Sequence, residues 1–128
     1  MTAGSTTFRA VVLEHFKHPR NRGALPNATV SIDGANPLCG DRIRIQLLVD
    51  GGAIAEARFT ADACAICIAT ASMITSHVRG MRLEDAQAVD GIWAEAALQG
   101  PPPAARQRCV TLPVDTLRRA LRAAGGAG

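Results

Sequence analysis

The chain is poor in aromatic residues. Only 3% of its 128 residues are aromatic, with one Trp, three Phe and no Tyr. Proteins that bind single-stranded nucleic acid stack the bases on aromatic side chains, and this chain has few to offer. Its formal charge of +3 comes from basic residues scattered along the sequence. We therefore expect no nucleic-acid partner and only a weak preference for acidic partners.

Long apolar runs are missing as well. No segment approaches the roughly 20 consecutive apolar residues that a membrane-spanning helix needs. The N-terminal segment MTAGSTTFRA has no apolar run of signal-peptide length. We expect a cytoplasmic protein with no membrane partner. In a reducing compartment, cysteines at special positions are more often metal ligands or reactive thiols than disulfides, although a buried cysteine can be a small core residue.

The remaining composition predicts one folded domain. A hydrophobic fraction of 48% against 20% charged residues favours a packed core in a chain of this length. We predict a single domain over residues 1–128, with flexible ends at 1–6 and 124–128. The periodicity of apolar residues and the turn signals predict a helix, three strands and three helices, over 8–18, 29–33, 42–50, 53–60, 64–80, 83–98 and about 113–123.

Two of the predicted strands form a hairpin. Asp50-Gly51-Gly52 is a typical hairpin turn, because glycine supplies the positive φ angles that such turns need. The side chains expected to face the core are Ile43, Ile45, Leu47 and Val49 on the first strand, and Ala53, Ala55, Ala57 and Phe59 on the second. Strands followed by helices predict an α+β fold, in which a three-stranded antiparallel sheet carries helices on one face.

Cys39 and Asp41 are the first candidate ligands, in the segment NPLCGD before the long strand. The glycine between them, Gly40, lets the backbone turn so that both side chains can face one point. A thiolate and a carboxylate are both workable zinc ligands, and thiolate is the usual ligand of iron–sulfur clusters. An aspartate before a strand is also common as a simple turn residue, and the triplet alone does not separate these roles.

Cys64 and Cys67 form a C-x-x-C pair where the second strand of the hairpin meets the predicted helix 64–80. The unpaired N–H groups and the positive dipole end of a helix N-terminus favour the thiolate of Cys64. The pattern is also that of a thioredoxin-like redox pair, so a thiol–disulfide oxidoreductase remains an alternative. For Cys67 we favour the simpler role of a small core residue.

Cys109 lies between a proline-rich break at 100–103 and the predicted last helix. Arg106 and Arg108 would favour its thiolate if they lie close to it. Cys109 could equally be a cysteine packed on the sheet. We assign no ligand role to the histidines, which lie on or next to predicted helices at His15, His18 and His77.

Four segments, in order, resemble the IscU/NifU/SufU-type iron–sulfur cluster assembly scaffolds and together cover most of the chain. They are EHFKHPRNRGAL (14–25), NPLCGD (36–41), FTADACAICIATASMITSHVRG (59–80) and CVTLPVDTLRRAL (109–121). The first is similar to the family's N-terminal signature and the other three to its ligand segments. The resemblance implies that Cys39, Cys64 and Cys109 are the cluster ligands. It also implies that Asp41 binds zinc in the resting protein and promotes release of a bound cluster.

The same resemblance implies a function. A cysteine desulfurase would deliver persulfide sulfur to Cys109 or Cys39, and the chain would build a transient 2Fe–2S cluster with iron. The cluster would then pass to acceptor apoproteins, so the chain would be a non-enzymatic scaffold, as a monomer or a cluster-bridged dimer. Three soft thiolates suit iron–sulfur or zinc, and a harder carboxylate as the fourth ligand holds such a site less tightly.

The sequence departs from both main branches of this family. Arg108 stands where many IscU-type scaffolds carry a histidine, as in the SufU branch, where a basic residue is common. The segment PPPAA (101–105) replaces the chaperone-docking motif of the IscU branch, so the sequence does not support docking to a dedicated chaperone. The chain is also too short for the insertion that is usual in the SufU branch. Three alternatives to the scaffold stay open: a zinc-dependent sulfurtransferase of the SufU type, a thiol–disulfide oxidoreductase that uses Cys64 and Cys67, and a plain α+β domain with buried cysteines.

Overall fold

The structure, a computed structural model, describes residues 3–38 and 40–127. Its elements in chain order are α1 (Ala3–Lys17), β1 (Val30–Asn36), β2 (Asp41–Asp50), β3 (Ala53–Asp62), α2 (Ala65–Val78), α3 (Leu83–Ala86), α4 (Gly91–Ala97), a 3-10 turn (Ala104–Arg106) and α5 (Gln107–Ala127). The strands form one antiparallel sheet in the order β1-β2-β3. The predicted α+β class with its three-stranded antiparallel sheet is confirmed. None of the helices in the described ranges combines the length and apolar character needed to cross a membrane.

The hairpin of β2 and β3 determines where the start of β2 lies. It turns at Gly51 and Gly52, whose φ angles of 61° and 79° are readily adopted only by glycine. Because the strands are antiparallel, Arg42 near the start of β2 pairs with Asp62 at the end of β3. The chain segments that precede β2 and follow β3 therefore meet at the same end of the sheet.

A β-bulge changes the inward-facing positions of β3. Leu48 pairs with Glu56, but Val49 pairs with Ile54, which leaves Ala55 as an extra residue between them. The alternation shifts at this point, so that Ile54 is buried and Ala55 is exposed. The prediction that Ala55 faces the core is therefore wrong, because a strict period of two does not allow for the bulge.

The predicted helix 83–98 is also wrong as a single helix. The structure divides it into α3 and α4, with a break before Asp90. Asp90 is the N-cap of α4, and its side chain accepts a hydrogen bond from the backbone N–H of Trp93 at 2.8 Å. An aspartate followed by glycine therefore starts a new helix at Gly91 instead of continuing the old one.

Three other elements extend well beyond their predicted bounds. α1 begins at Ala3, β1 continues to Asn36, and α5 begins at Gln107 instead of Pro113. Proline is favoured in the first turn of a helix, which is the reason for the predicted start. Here Pro113 lies inside α5 and lacks the N–H that the carbonyl of Cys109 would otherwise accept. Cys109 is therefore part of the first turn of α5, not of a loop before it.

The core lies between the sheet and the helices, and α2 is at its centre. One cluster of buried residues joins the inner face of the sheet to α2 and α5. A second cluster joins the opposite side of α2 to α1, α4 and the start of α5. A helix that is apolar on all sides is a buried helix, and Cys67 to Thr75 of α2 are buried without interruption.

Candidate metal centre

Three of the four predicted ligand residues lie together at one end of the sheet. Asp41 is the first residue of β2, Cys64 is the N-cap of α2 directly after β3, and Cys109 lies in the first turn of α5. Their ligand atoms all lie within 4.8 Å of one another. The fourth, Cys39, lies outside the described residues, two positions before Asp41 in the sequence.

Direct contacts link the three side chains. The Sγ of Cys64 donates to the Sγ of Cys109 at 2.9 Å, and the Sγ of Cys109 is 3.6 Å from Oδ2 of Asp41. The other oxygen of Asp41 accepts the backbone N–H of Cys64 at 3.3 Å. Asp41 and Cys109 are only 7% and 3% exposed, whereas Cys64 is half-buried. The site is therefore closed on the side of Asp41 and Cys109, and reachable through Cys64.

The electrostatics of the site oppose an isolated thiolate at Cys109. Burial raises the pKa of the Cys109 thiol to about 12, and its hydrogen bond with Cys64 and the negative charges of Cys64 and Asp41 act in the same direction. Arg106 lowers this pKa through a hydrogen bond, as the sequence predicts, but burial outweighs it. A bound cation would supply the positive charge that lets these donors ionise together, which is typical of a metal site.

The donor set fits a borderline or soft divalent metal. Thiolates and a carboxylate are established zinc ligands, and thiolates also hold iron–sulfur clusters. Two sulfurs on one tetrahedral zinc are roughly 3.8 Å apart, so Cys64 and Cys109 would have to separate by about 1 Å. Cys64 has room for this movement, because its side chain is only half-buried and lies at the start of a helix.

Cys67 does not belong to this cluster of ligand atoms. Within residues 3–38 and 40–127, the group that could hold a metal consists of Asp41, Cys64 and Cys109. Cys67 is fully buried and lies within the core of α2. Its burial agrees with the role of a small core residue.

The histidines have contacts that do not involve the cluster. Nδ1 of His15 is 2.8 Å from the hydroxyl of Ser72, and the ring of His77 stacks on Trp93 with centroids 4.3 Å apart. Burial and the charge of Arg20 lower the pKa of His15. None of the three histidines is part of the ligand group among the described residues.

The segment 14–25, which resembles the family's N-terminal signature, contacts the half of α2 that lies away from Cys64. The backbone N–H of Arg20 donates to the hydroxyl of Ser72, and the side chain of Asn21 donates to Thr75 and Ser76. Ser72 lies about 12 Å along the helix axis from Cys64. This segment therefore helps to hold the helix that carries Cys64, a role that the sequence analysis did not assign to it.

Comparisons with known proteins agree with this architecture. The family model described as "NifU-like N terminal domain" matches residues 7–124. The zinc-dependent sulfurtransferase SufU of Bacillus subtilis is 39% identical over 90 residues, which cover 70% of this chain and 60% of SufU. The iron-sulfur cluster assembly scaffold protein IscU of Escherichia coli is 32% identical over 114 residues, which cover 86% of this chain and 88% of IscU. The match thus spans less than two thirds of the SufU relative but most of IscU.

A solved structure has the same fold. The putative iron-sulfur cluster assembly scaffold protein for the SUF system from Fervidobacterium islandicum superposes with a TM-score of 0.74, covering 87% of this chain and 93% of that one. At 21% sequence identity this likeness concerns the fold alone. The family model over 7–124, together with the SufU and IscU relatives, shows that the chain belongs to the NifU-like N-terminal domain family.

Proposed function

We propose that this chain is a scaffold for iron–sulfur cluster assembly. It accepts sulfur from a cysteine desulfurase, takes up iron, builds a labile 2Fe–2S cluster and transfers it to acceptor apoproteins. The observation that carries the proposal is the meeting of Asp41, Cys64 and Cys109 within 4.8 Å in a chain of this family. The IscU relatives, named as cluster assembly scaffolds, support it.

In this proposal Cys39, Cys64 and Cys109 are the thiolate ligands, and Asp41 is the fourth. Gly40 has a φ of 77°, and a Cβ there would meet no atom within 4 Å, so the turn before Asp41 is open. Asp41 is held in place by the N–H of Cys64. Because a carboxylate binds soft metals less tightly than thiolate does, Asp41 is the ligand that favours release.

The sulfur is proposed to arrive on Cys109 or Cys39. Cys109 is only 3% exposed, which would protect a persulfide there from thiols in solution. The single-domain assignment, the flexible ends, the monomer or cluster-bridged dimer and the cytoplasmic location stay predictions.

The second candidate function is that of a zinc-dependent sulfurtransferase, which accepts persulfide sulfur and activates the desulfurase without building a cluster. The specific observation in its favour is the 39% identity to SufU, together with Arg108 in the position directly before Cys109. The same four residues would hold zinc, and zinc in the resting state would position a cysteine for sulfur transfer.

The experiment that separates these functions starts from anaerobically purified protein. It is incubated with a cysteine desulfurase, cysteine and ferrous iron, and the visible spectrum and the iron, sulfide and zinc contents are measured. The scaffold proposal predicts a cluster spectrum that is lost in Cys39→Ser, Cys64→Ser and Cys109→Ser. Cys67→Ser is the matched control, because it removes a thiol from the same helix outside the ligand group, and it should keep the spectrum.

Other results lead elsewhere. Tightly bound zinc, no cluster and a faster desulfurase would assign the chain to sulfur transfer. Loss of metal in Cys67→Ser, with metal retained in Cys109→Ser, would support the thiol pair of the C-x-x-C motif instead. A stable protein that binds neither metal nor sulfur would leave only the α+β domain with buried cysteines.

A further inference from the structure

The two sulfurs of Cys64 and Cys109 are closer together than metal coordination requires. Their separation is 2.9 Å, compared with roughly 3.8 Å for two sulfurs on one tetrahedral zinc. A disulfide bond holds its sulfurs at about 2.05 Å. The pair therefore lies between the metal-bound and the bonded arrangement, and only a small movement separates it from bond formation.

We propose that Cys64 is the thiol that releases sulfide from a persulfide on Cys109, an inference that rests on the proposed sulfur-accepting function. The thiolate of Cys64 attacks Sγ of Cys109, and a bond forms between the two Sγ atoms. The bond from Cys109 to the outer sulfur breaks, and that sulfur leaves with the electron pair as HS⁻. The two cysteines end as a disulfide, so they supply both electrons that reduce the delivered sulfur.

The geometry of the site supports this step. The attacking and the attacked sulfur are already in contact, and such proximity replaces the encounter with an external thiol. Cys64 is half-buried, whereas Cys109 and Asp41 are almost fully buried. The sulfide is therefore released beside Asp41, and the two cysteines can hold iron once their disulfide has been reduced.

Regeneration needs a dithiol reductant, which opens the Cys64–Cys109 disulfide by thiol–disulfide exchange. Such a reductant attacks the more accessible sulfur, and in this pair that sulfur belongs to Cys64. Cys109 is the better-placed partner for Cys64, because its Sγ lies 2.9 Å from that of Cys64.

The test measures sulfide release from the full-length, metal-free protein after loading by a cysteine desulfurase with cysteine. The parent protein carries Cys39→Ser, which directs the sulfur to Cys109. Two chains are compared with it: one adds Cys64→Ser and the other adds Cys67→Ser as the matched control. After removal of desulfurase and cysteine, free sulfide is followed over time, and persulfides and disulfides are located by peptide mass mapping.

We expect the parent and the Cys67→Ser chain to release one sulfide per loaded chain and to form a Cys64–Cys109 disulfide. The Cys64→Ser chain should keep the sulfur on Cys109 and release it at least about tenfold more slowly, because it lacks the adjacent thiol. Serine is a favoured N-cap residue, so this substitution suits the start of α2. If that chain nevertheless takes up no sulfur, the disulfide mapped in the parent decides the question.

Three results would overturn the inference. They are equally fast release from the Cys64→Ser chain, a disulfide between Cys64 and Cys67, and migration of the sulfur to Cys64 without sulfide release. Failure of the proposed function looks different, because no chain would then gain a sulfur from the desulfurase. Loading with inorganic polysulfide would in that case test the role of Cys64 by itself.

Discussion

A single added methyl group at Gly34 tests how closely α5 packs on the sheet. A Cβ built at this position of β1 would overlap Oγ1 of Thr116 and would lie 3.2 Å from Cδ1 of Leu112. Thr116 is fully buried, and its hydroxyl donates to the carbonyl of Leu112 at 2.8 Å. Thr116 therefore cannot turn away from the new methyl group without losing that hydrogen bond.

These contacts give the expected magnitude. Overpacking a core costs about 1–3 kcal/mol, and losing the hydrogen bond of Thr116 costs about 0.5–1.5 kcal/mol more. The smaller entropy of the unfolded Ala chain offsets about 0.4–1 kcal/mol of this. We expect Gly34→Ala to lower the free energy of unfolding by about 2 kcal/mol.

Urea denaturation of the reduced, metal-free protein measures the effect, which should appear as a lower midpoint at an unchanged slope. Gly91→Ala is the control, because a Cβ on this helical glycine meets no atom within 4 Å. It should be neutral or slightly stabilising, since Ala is the better helix former. The reasoning is refuted if Gly34→Ala is as stable as the wild type, or if Thr116→Ala does not relieve its effect in the double variant.

Three further predictions concern stability. Asp90→Ala should lower the free energy of unfolding, measured by urea denaturation, by about 1 kcal/mol, because it removes the N-cap of α4. An unchanged free energy would mean that the cap does not contribute to stability. Asn21→Ala should lower the free energy of unfolding by about 1–2 kcal/mol, because it removes two hydrogen bonds to α2 and places alanine at a φ of 64°, which glycine adopts more readily. Asn21→Gly should lower it less, and equal losses in the two variants would contradict the backbone argument. The metal-free protein should lose stability as the pH rises from 9.0 towards about 12. In this range the unfolded chain releases the proton of Cys109, whereas the folded protein, in which the pKa of Cys109 is raised, retains it. Cys109→Ser should remove that part of the loss from the pH titration of stability, and an unchanged profile would refute the assignment.

Much of the fold follows from local sequence patterns, and the exceptions have identifiable causes. The glycines after Asp50 predict the hairpin correctly, because a tight turn needs positive φ angles. The predicted first strand ends too early, at residue 33, whereas β1 continues through Gly34 to Asn36. There the glycine does not end the strand, but leaves room for α5 to approach its backbone. Similarly, Ala55 faces outwards because of a bulge that depends on pairing with β2.

The candidate ligands could be identified from the sequence because each lies in a recognisable segment. Asp41 and Cys64 are also brought together predictably, since they flank a hairpin. The approach of Cys109 follows from the family resemblance and not from local sequence patterns, because it lies 45 residues beyond Cys64 and arrives on α5. The sequence does not predict the burial of Cys109 either. Burial raises the pKa of Cys109 by more than the hydrogen bond with Arg106 lowers it.

Because the three described candidate ligands come from β2, α2 and α5, they meet only when the sheet and both helices are packed. A metal that binds this arrangement and not the unfolded chain must stabilise the fold. Zinc at a hundredfold excess over its dissociation constant would add about 2.7 kcal/mol to the free energy of unfolding. We expect this gain in the wild type and in Cys67→Ser, measured by thermal denaturation with and without zinc, and a much smaller gain in Cys64→Ser. Equal stabilisation of all three proteins would show that zinc binds somewhere other than Asp41, Cys64 and Cys109.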